Sequence, residues 1–172
     1  DGSSMLQALV RANLFVSQLD GERSWYRYHH LFSELLQQRL LSSEPDLVPV
    51  LHWRASLWYQ DAGMLPEAIH HALAAADFSS AVLLISSEVE HALMRSEHAT
   101  VLRWLASLPD EVFRGRPDLC VYHAWTLVVV GGSPDLIEAR VAQAAADTGT
   151  RPAHGALAAL EASRALLVGN LA

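Results

Sequence analysis

A chain of 172 residues that is 51% hydrophobic and carries a formal charge of -7 has enough apolar material for a folded core, and it repels a phosphate backbone instead of attracting it. All 12 basic residues are arginine, which excludes a phosphate-loop lysine and a Schiff-base lysine. The lone cysteine, Cys120, cannot form an internal disulfide, and no charged segment followed by an apolar one opens the chain, so a reducing, cytoplasmic setting is expected.

The first element expected is a helix from Met5 to Ala12. Two β-prone runs follow, Leu14 to Leu19 and Ser24 to Tyr28, around the polar turn Asp20-Gly21-Glu22-Arg23, which is the pattern of a hairpin. A helix from Leu31 to Leu41 comes next. Beyond it apolar residues recur at three and four: Leu51, Ala55, Trp58 and Ala62; Ala68, Ala72 and Leu73; Phe78, Ala81, Val82, Ile85 and Val89; Val101, Leu102, Leu105 and Leu108. Each set is one stripe of an amphipathic helix. The run Leu119 to Val130 is nearly all apolar, but His123 interrupts it and it falls short of the roughly 18 residues a membrane span needs, so a buried helix is expected. Alanine-rich helices are expected near Leu136 to Ala146 and Ala156 to Val168.

Seven prolines (45, 49, 66, 109, 117, 134 and 152) fall at helix starts or in short connections, where a missing N–H costs nothing. Ser133-Pro134-Asp135 reads as a cap and first turn, and Gly131-Gly132 as a helix stop. Ser56, Tyr59, Gly63, Ala68 and Ala75 carry the spacing of a tetratricopeptide-type pair, in which small residues sit where two helices cross. Ala124, Leu127 and Gly131 repeat its first half, after which Ala139 arrives three residues late. The fold class expected is therefore mainly α: an α-α superhelix of TPR-like helical hairpins, preceded by a partial winged-helix unit with one β-hairpin.

These pieces resemble the large ATP-dependent bacterial transcription regulators of the MalT type, which end in a LuxR-type DNA-binding domain. The match is carried by Leu9-Val10-Arg11-Ala12-Asn13-Leu14-Phe15-Val16, by Trp25 to Phe32 with Leu35-Leu36 and Arg39-Leu40, and by Ala55 to Tyr59 leading into Gly63. It continues through Glu67 to Phe78, Leu102-Arg103-Trp104-Leu105 and Leu108-Pro109-Asp110-Glu111. The resemblance is strong as far as Pro117. It implies that residues 1–42 are the C-terminal part of a winged-helix domain and residues 43–172 the N-terminal part of a helical-repeat sensor domain. It also implies a non-catalytic, signal-sensing and oligomerisation segment. The alternative is a constitutive TPR-like adaptor that senses nothing. ATP would be bound by a preceding domain of such regulators, and this segment itself is expected to hold no cofactor. Expected partners are the other domains of the same protein, a small-molecule inducer and further copies of itself, with no direct nucleic-acid contact and no membrane.

Several constellations invite sharper readings. Glu67-x-x-His70 and Glu88-x-x-His91 have the form of di-iron ligands, but such a site needs two more inward glutamates, and His71 offers an outward-facing alternative. Cys120 and His123 share a helix face, yet a reactive thiolate needs an electropositive, partly open site, so a buried structural cysteine is expected. In residues 1–42 four arginines (11, 23, 27, 39) are balanced by four acids (1, 20, 22, 34), so the aromatic hairpin is expected to pack on neighbouring helices. The five tryptophans, 25, 53, 58, 104 and 125, are expected to be core anchors, one or two of them lining a ligand face. No catalytic, cofactor or metal residue is assigned, and the ligand or partner contacts stay unassigned. The leucines of the last helix, Leu157, Leu160, Leu166 and Leu167, are expected to drive self-association. The purified chain should release no phosphate from ATP above a blank and show no sequence-dependent retention on duplex DNA at physiological salt. Either signal would contradict the lysine-free, acidic reading.

Overall fold

The computed structural model describes residues 2–12, 15–19 and 26–147. The expected last helix, Trp25, Pro152 and the turn at 20–23 lie outside the described residues. The chain divides into two compact units, Asp1–Pro49 and Val50–Ala172.

In the first unit, α1 (Gly2–Arg11) leads into β1 (Val16–Gln18) and β2 (Tyr26–Tyr28), which pair antiparallel with Val16 opposite Tyr28. The helix α2 (His30–Ser43) follows. Aromatic side chains tie the hairpin to it: the Phe15 ring stacks on Phe32 at 5.2 Å and Tyr28 tilts against the same ring at 5.7 Å. The aromatic hairpin thus packs on its own helix.

The second unit is helical. After α3 (Leu47–Asp61) come α4 (Leu65–Ala74), α5 (Phe78–Met94) and α6 (His98–Ala106), a short 3-10 helix (Asp110–Phe113), α7 (Pro117–Val130) and α8 (Pro134–Asp147). From α4 to α8 each α-helix packs on the next, and α4 also reaches α6, which is the layering of helical repeats. Pro66, Pro117 and Pro134 lie in first turns, where the expected starts fall. Asp77 caps α5, its carboxylate accepting from the Ser80 N–H at 3.1 Å and the Ser80 hydroxyl at 2.7 Å.

Four helices stop in the same way. At Gly63, Ala76, Ser96 and Gly131 the backbone turns left-handed, with φ of 72°, 55°, 61° and 72°. At each stop two amides reach back to the last turn: Gly132 N–H to Leu127 O at 2.7 Å and Gly131 N–H to Val128 O at 3.3 Å, for example, and likewise Asp77 to Ala72 and Ala76 to Leu73. This paired bond set satisfies carbonyls that a helix end leaves bare.

The core confirms most of the stripes. Ala68, Ala72, Ala81, Val82, Ile85, Val89, Val101, Leu105 and Leu108 are buried. One stripe is corrected. On α3 the buried residue is Ser56, with His52, Ala55 and Tyr59 half-buried, whereas Leu51 and Trp58 are exposed. The helix is turned so that its small residue faces α4, because the Ser56 hydroxyl donates to Ala68 O at 2.9 Å only if no large side chain separates the backbones. Trp53 and Trp125 are exposed as well, and among the described tryptophans Trp104 alone belongs to the core.

Trp58 is 54% exposed and Trp104 3%. Trp104→Ala should therefore cost about 3–5 kcal/mol and Trp58→Ala no more than about 0.5 kcal/mol, read from urea midpoints. Equal shifts would contradict this assignment of the core.

Candidate functional site

Two clusters of polar side chains are built into the helical unit. The first lies where α7 and α8 meet the 3-10 helix. Arg140 on α8 is 6% exposed, and its guanidinium sits 3.8 Å from the centroid of the Phe113 ring. Its Nε donates to His123 Nδ1 at 3.2 Å, and its terminal nitrogens reach Gln143 Oε1 at 3.0 Å and Asp110 Oδ1 at 2.5 Å. The His123 ring stacks on the other partner of Arg140, Phe113, at 5.4 Å. Burial, then the Arg140 charge, push the His123 imidazole down to about 4, against a small opposing pull from Asp110. His123 is thus a neutral acceptor at pH 7, and its Nε2 has no partner among the described residues. Arg140 occupies the stretch where the small-residue pattern slips: Ala139, the late alanine, is exposed, and the buried position beside it is cationic.

Cys120 is buried, its thiol reaching Phe113 O at 3.6 Å, and the partner of His123 is Arg140 instead of the cysteine. Glu88 is buried and held by Arg95 at 2.8 Å, while Glu90 accepts from the Tyr122 hydroxyl at 2.7 Å. Among the described residues no three or more His, Cys, Asp or Glu side chains are grouped to hold a metal ion.

The second cluster lies between α3 and α4 and opens into a groove. His52 and His71 meet nitrogen to nitrogen, Nδ1 to Nδ1, at 2.8 Å, so one imidazole donates and the other accepts. The Tyr59 ring stacks on His71 at 5.2 Å with 11° between planes. His71 is therefore half-buried in the helix seam, which corrects the outward-facing expectation. Burial lowers the affinity of both imidazoles for protons, and the neighbouring histidines lower it further.

On the far side of His71 a groove of about 530 Å3 runs between α4 and α6. Leu73, Ala74 and Trp104 contribute its apolar wall. Glu67, His70, Thr100 and Arg103 supply polar groups along it, and Arg103 takes part in no ion pair among the described residues. Sequence reasoning misses this site because its lining comes from two helices about 30 residues apart, although Glu67, His70 and Trp104 each stand out in the sequence. Among the described residues no helix is long and apolar enough to cross a membrane.

What the architecture defines is a winged-helix unit joined to a helical-repeat array. Residues 1–48 match the MalT winged helix domain. The serine/threonine-protein kinase PknK of Mycobacterium tuberculosis is 32% identical over 130 residues, which cover 76% of this chain and 12% of the kinase. The HTH-type transcriptional regulator MalT of Yersinia pestis is 31% identical over 125 residues, 73% of this chain and 14% of the regulator, and MalT of Yersinia pseudotuberculosis aligns to the same extent. No solved structure matches. The chain belongs to the MalT-type family, whose winged helix domain it carries at residues 1–48, and it spans about an eighth of the length of the curated relatives it matches.

The buried cluster makes stability depend on pH in a definite direction. The folded state holds His123 neutral while the unfolded chain takes up a proton near 6.5, so this stabilisation is complete above that pH and is lost as pH falls towards about 4. Arg140→Met removes the cation beside the ring and should raise the His123 value, as read from its imidazole proton shifts. An unchanged value would mean that burial alone sets it.

Proposed function

We propose that this chain is a non-catalytic sensing segment of a MalT-type regulator, and that the groove between α4 and α6 is where the signal binds. The observation that carries this reading is the character of the groove. It is not acidic: an indole and aliphatic groups form one wall, Glu67 is the only carboxylate among the described residues that line it, and hydroxyl, imidazole and guanidinium groups border it. A mostly apolar concavity of this size with a few convergent polar groups suits a small organic molecule better than an extended peptide. Because the groove bridges α4 and α6, a ligand that favours one spacing of these helices would shift the population of arrangements in the array. The likeness extends to a protein named as a kinase as well as to one named as a regulator. That pattern suits a module that reports to different output domains, with ATP binding and DNA reading carried by other domains of the whole protein.

The adaptor reading rests on a different surface. Val50, Leu51, Trp53, Leu57 and Trp58 are all exposed on α3, on the side that also carries the exposed Arg54 and Asp61, a mixed surface with large apolar groups of the kind that partner proteins cover.

The two readings separate on substitutions at distinct places. In a full-length regulator carrying this segment, Ser107→Trp would fill the groove from its exposed rim. It should abolish the response of a reporter promoter to the inducing signal while leaving the unfolding free energy of the isolated chain in urea within about 0.5 kcal/mol of wild type. A normal response, coupled with loss of response in Trp53→Ala or Trp58→Ala, would transfer the function to the α3 surface.

A further inference from the structure

The His52–His71 contact is placed where a proton can act mechanically. The Ser56 hydroxyl on Ala68 O and the Tyr59 ring on His71 also join α3 to α4. His71 thus takes part in two of these three contacts, and it also lines the groove. A bond between two Nδ1 atoms needs one N–H and one lone pair. The neutral pair satisfies this, and so does the pair with one added proton on an outer Nε2. A second added proton must go to the accepting Nδ1, which then presents N–H to N–H and sets two imidazolium charges side by side.

We infer that the α3–α4 seam is a proton-operated latch, closed while the His52–His71 pair carries no more than one extra proton and opened by the second, which frees α3 from the array and strips one wall support from the groove.

The surroundings favour opening. From α4, His70 meets the His71 ring edge-on with centroids 5.2 Å apart, and its charge opposes protonation of both other histidines. Glu67 on α4 and Arg103 on α6 line the groove beside His71, but neither pairs with an imidazole among the described residues. Tyr59, from α3, contributes a ring face and no charge. Among the described residues, then, no carboxylate is bonded to either imidazole of the pair. The sign follows from burial: with both imidazoles holding protons less tightly folded than unfolded, the seam is stable above about 6.5 and weakens as pH falls below it. This inference stands on the seam alone, so it does not depend on what occupies the groove.

Amide hydrogen exchange on the whole 172-residue chain tests it. After correction for intrinsic rates, amides of residues 50–61 in α3 should exchange severalfold faster near pH 5 than near pH 7.5. Amides of α5 should change less than those of α3, and the excess in α3 separates opening of the seam from the general acid destabilisation to which His123 contributes. His52→Gln and His71→Gln should each reduce the α3 difference to less than about twofold. Equal α3 protection at both pH values in the wild type, or a difference that persists in both variants, would overturn the latch. Should either variant fail to fold, the imidazole nitrogen spectrum of the wild type decides. One proton shared between the two Nδ1 atoms at neutral pH, with coupled titration below the ordinary histidine range, supports the latch. Two independent titrations near 6.5 remove it.

Discussion

Close approach of helix backbones at small residues is the constraint on which the helical unit depends. Ala68, Ala72, Ala81, Ala92, Ala124 and Ala144 are all buried to within 1% of complete, and Ser56 joins them by donating its hydroxyl to the Ala68 carbonyl. Helices that meet at such positions leave no space for a misplaced side chain, so packing density fixes their relative positions closely. The larger core residues, Ile69, Ile85, Val89, Leu105 and Phe113, fill what remains around those crossings. The groove beside Trp104 is a product of the same geometry, since α4 and α6 both pack on α5 while touching each other only in part.

Where the small-residue register fails, a different interaction replaces it. Leu136, not an alanine, stands where the second pair would need its crossing residue, and a few positions on Arg140 enters the core between Phe113, His123 and Asp110. A buried guanidinium is costly to desolvate, and here it is supported by a ring face, a neutral imidazole and a carboxylate whose other side meets solvent. Such an arrangement needs those partners in place to be tolerable, which gives the α7–α8 pair a single acceptable position against the 3-10 helix.

Much of this was legible in the residues. Prolines mark helix starts, Gly131-Gly132 marks a stop, α7 shows as an apolar run, and the hairpin and the stripes of α4 to α6 emerge from periodicity because each is local information. The stripe on α3 was misread because size was taken for burial. Leu51 and Trp58 are the largest apolar residues there, yet contact is made by the face that carries Ser56. The tetratricopeptide-like spacing, which named Ser56 and Ala68, was the better signal. The polar clusters were not legible at all: His52 and His71 are 19 residues apart, His123 and Arg140 are 17 apart, and Asp110 and Arg140 are 30 apart. No pattern of spacing announces a pairing that only the packed helices create. Likewise Ala76 and Ser96 stop their helices in a left-handed turn without the glycine that would have advertised it.

Because α4 to α8 contact mainly their neighbours in order, the helical unit resembles a stack of cards more than a sphere. Load applied along such a stack passes through every seam in series. The weakest seam would yield first while those behind it kept their shape, so tension between whatever flanks the array would be released as discrete steps of extension, each the length of one helix and its turn.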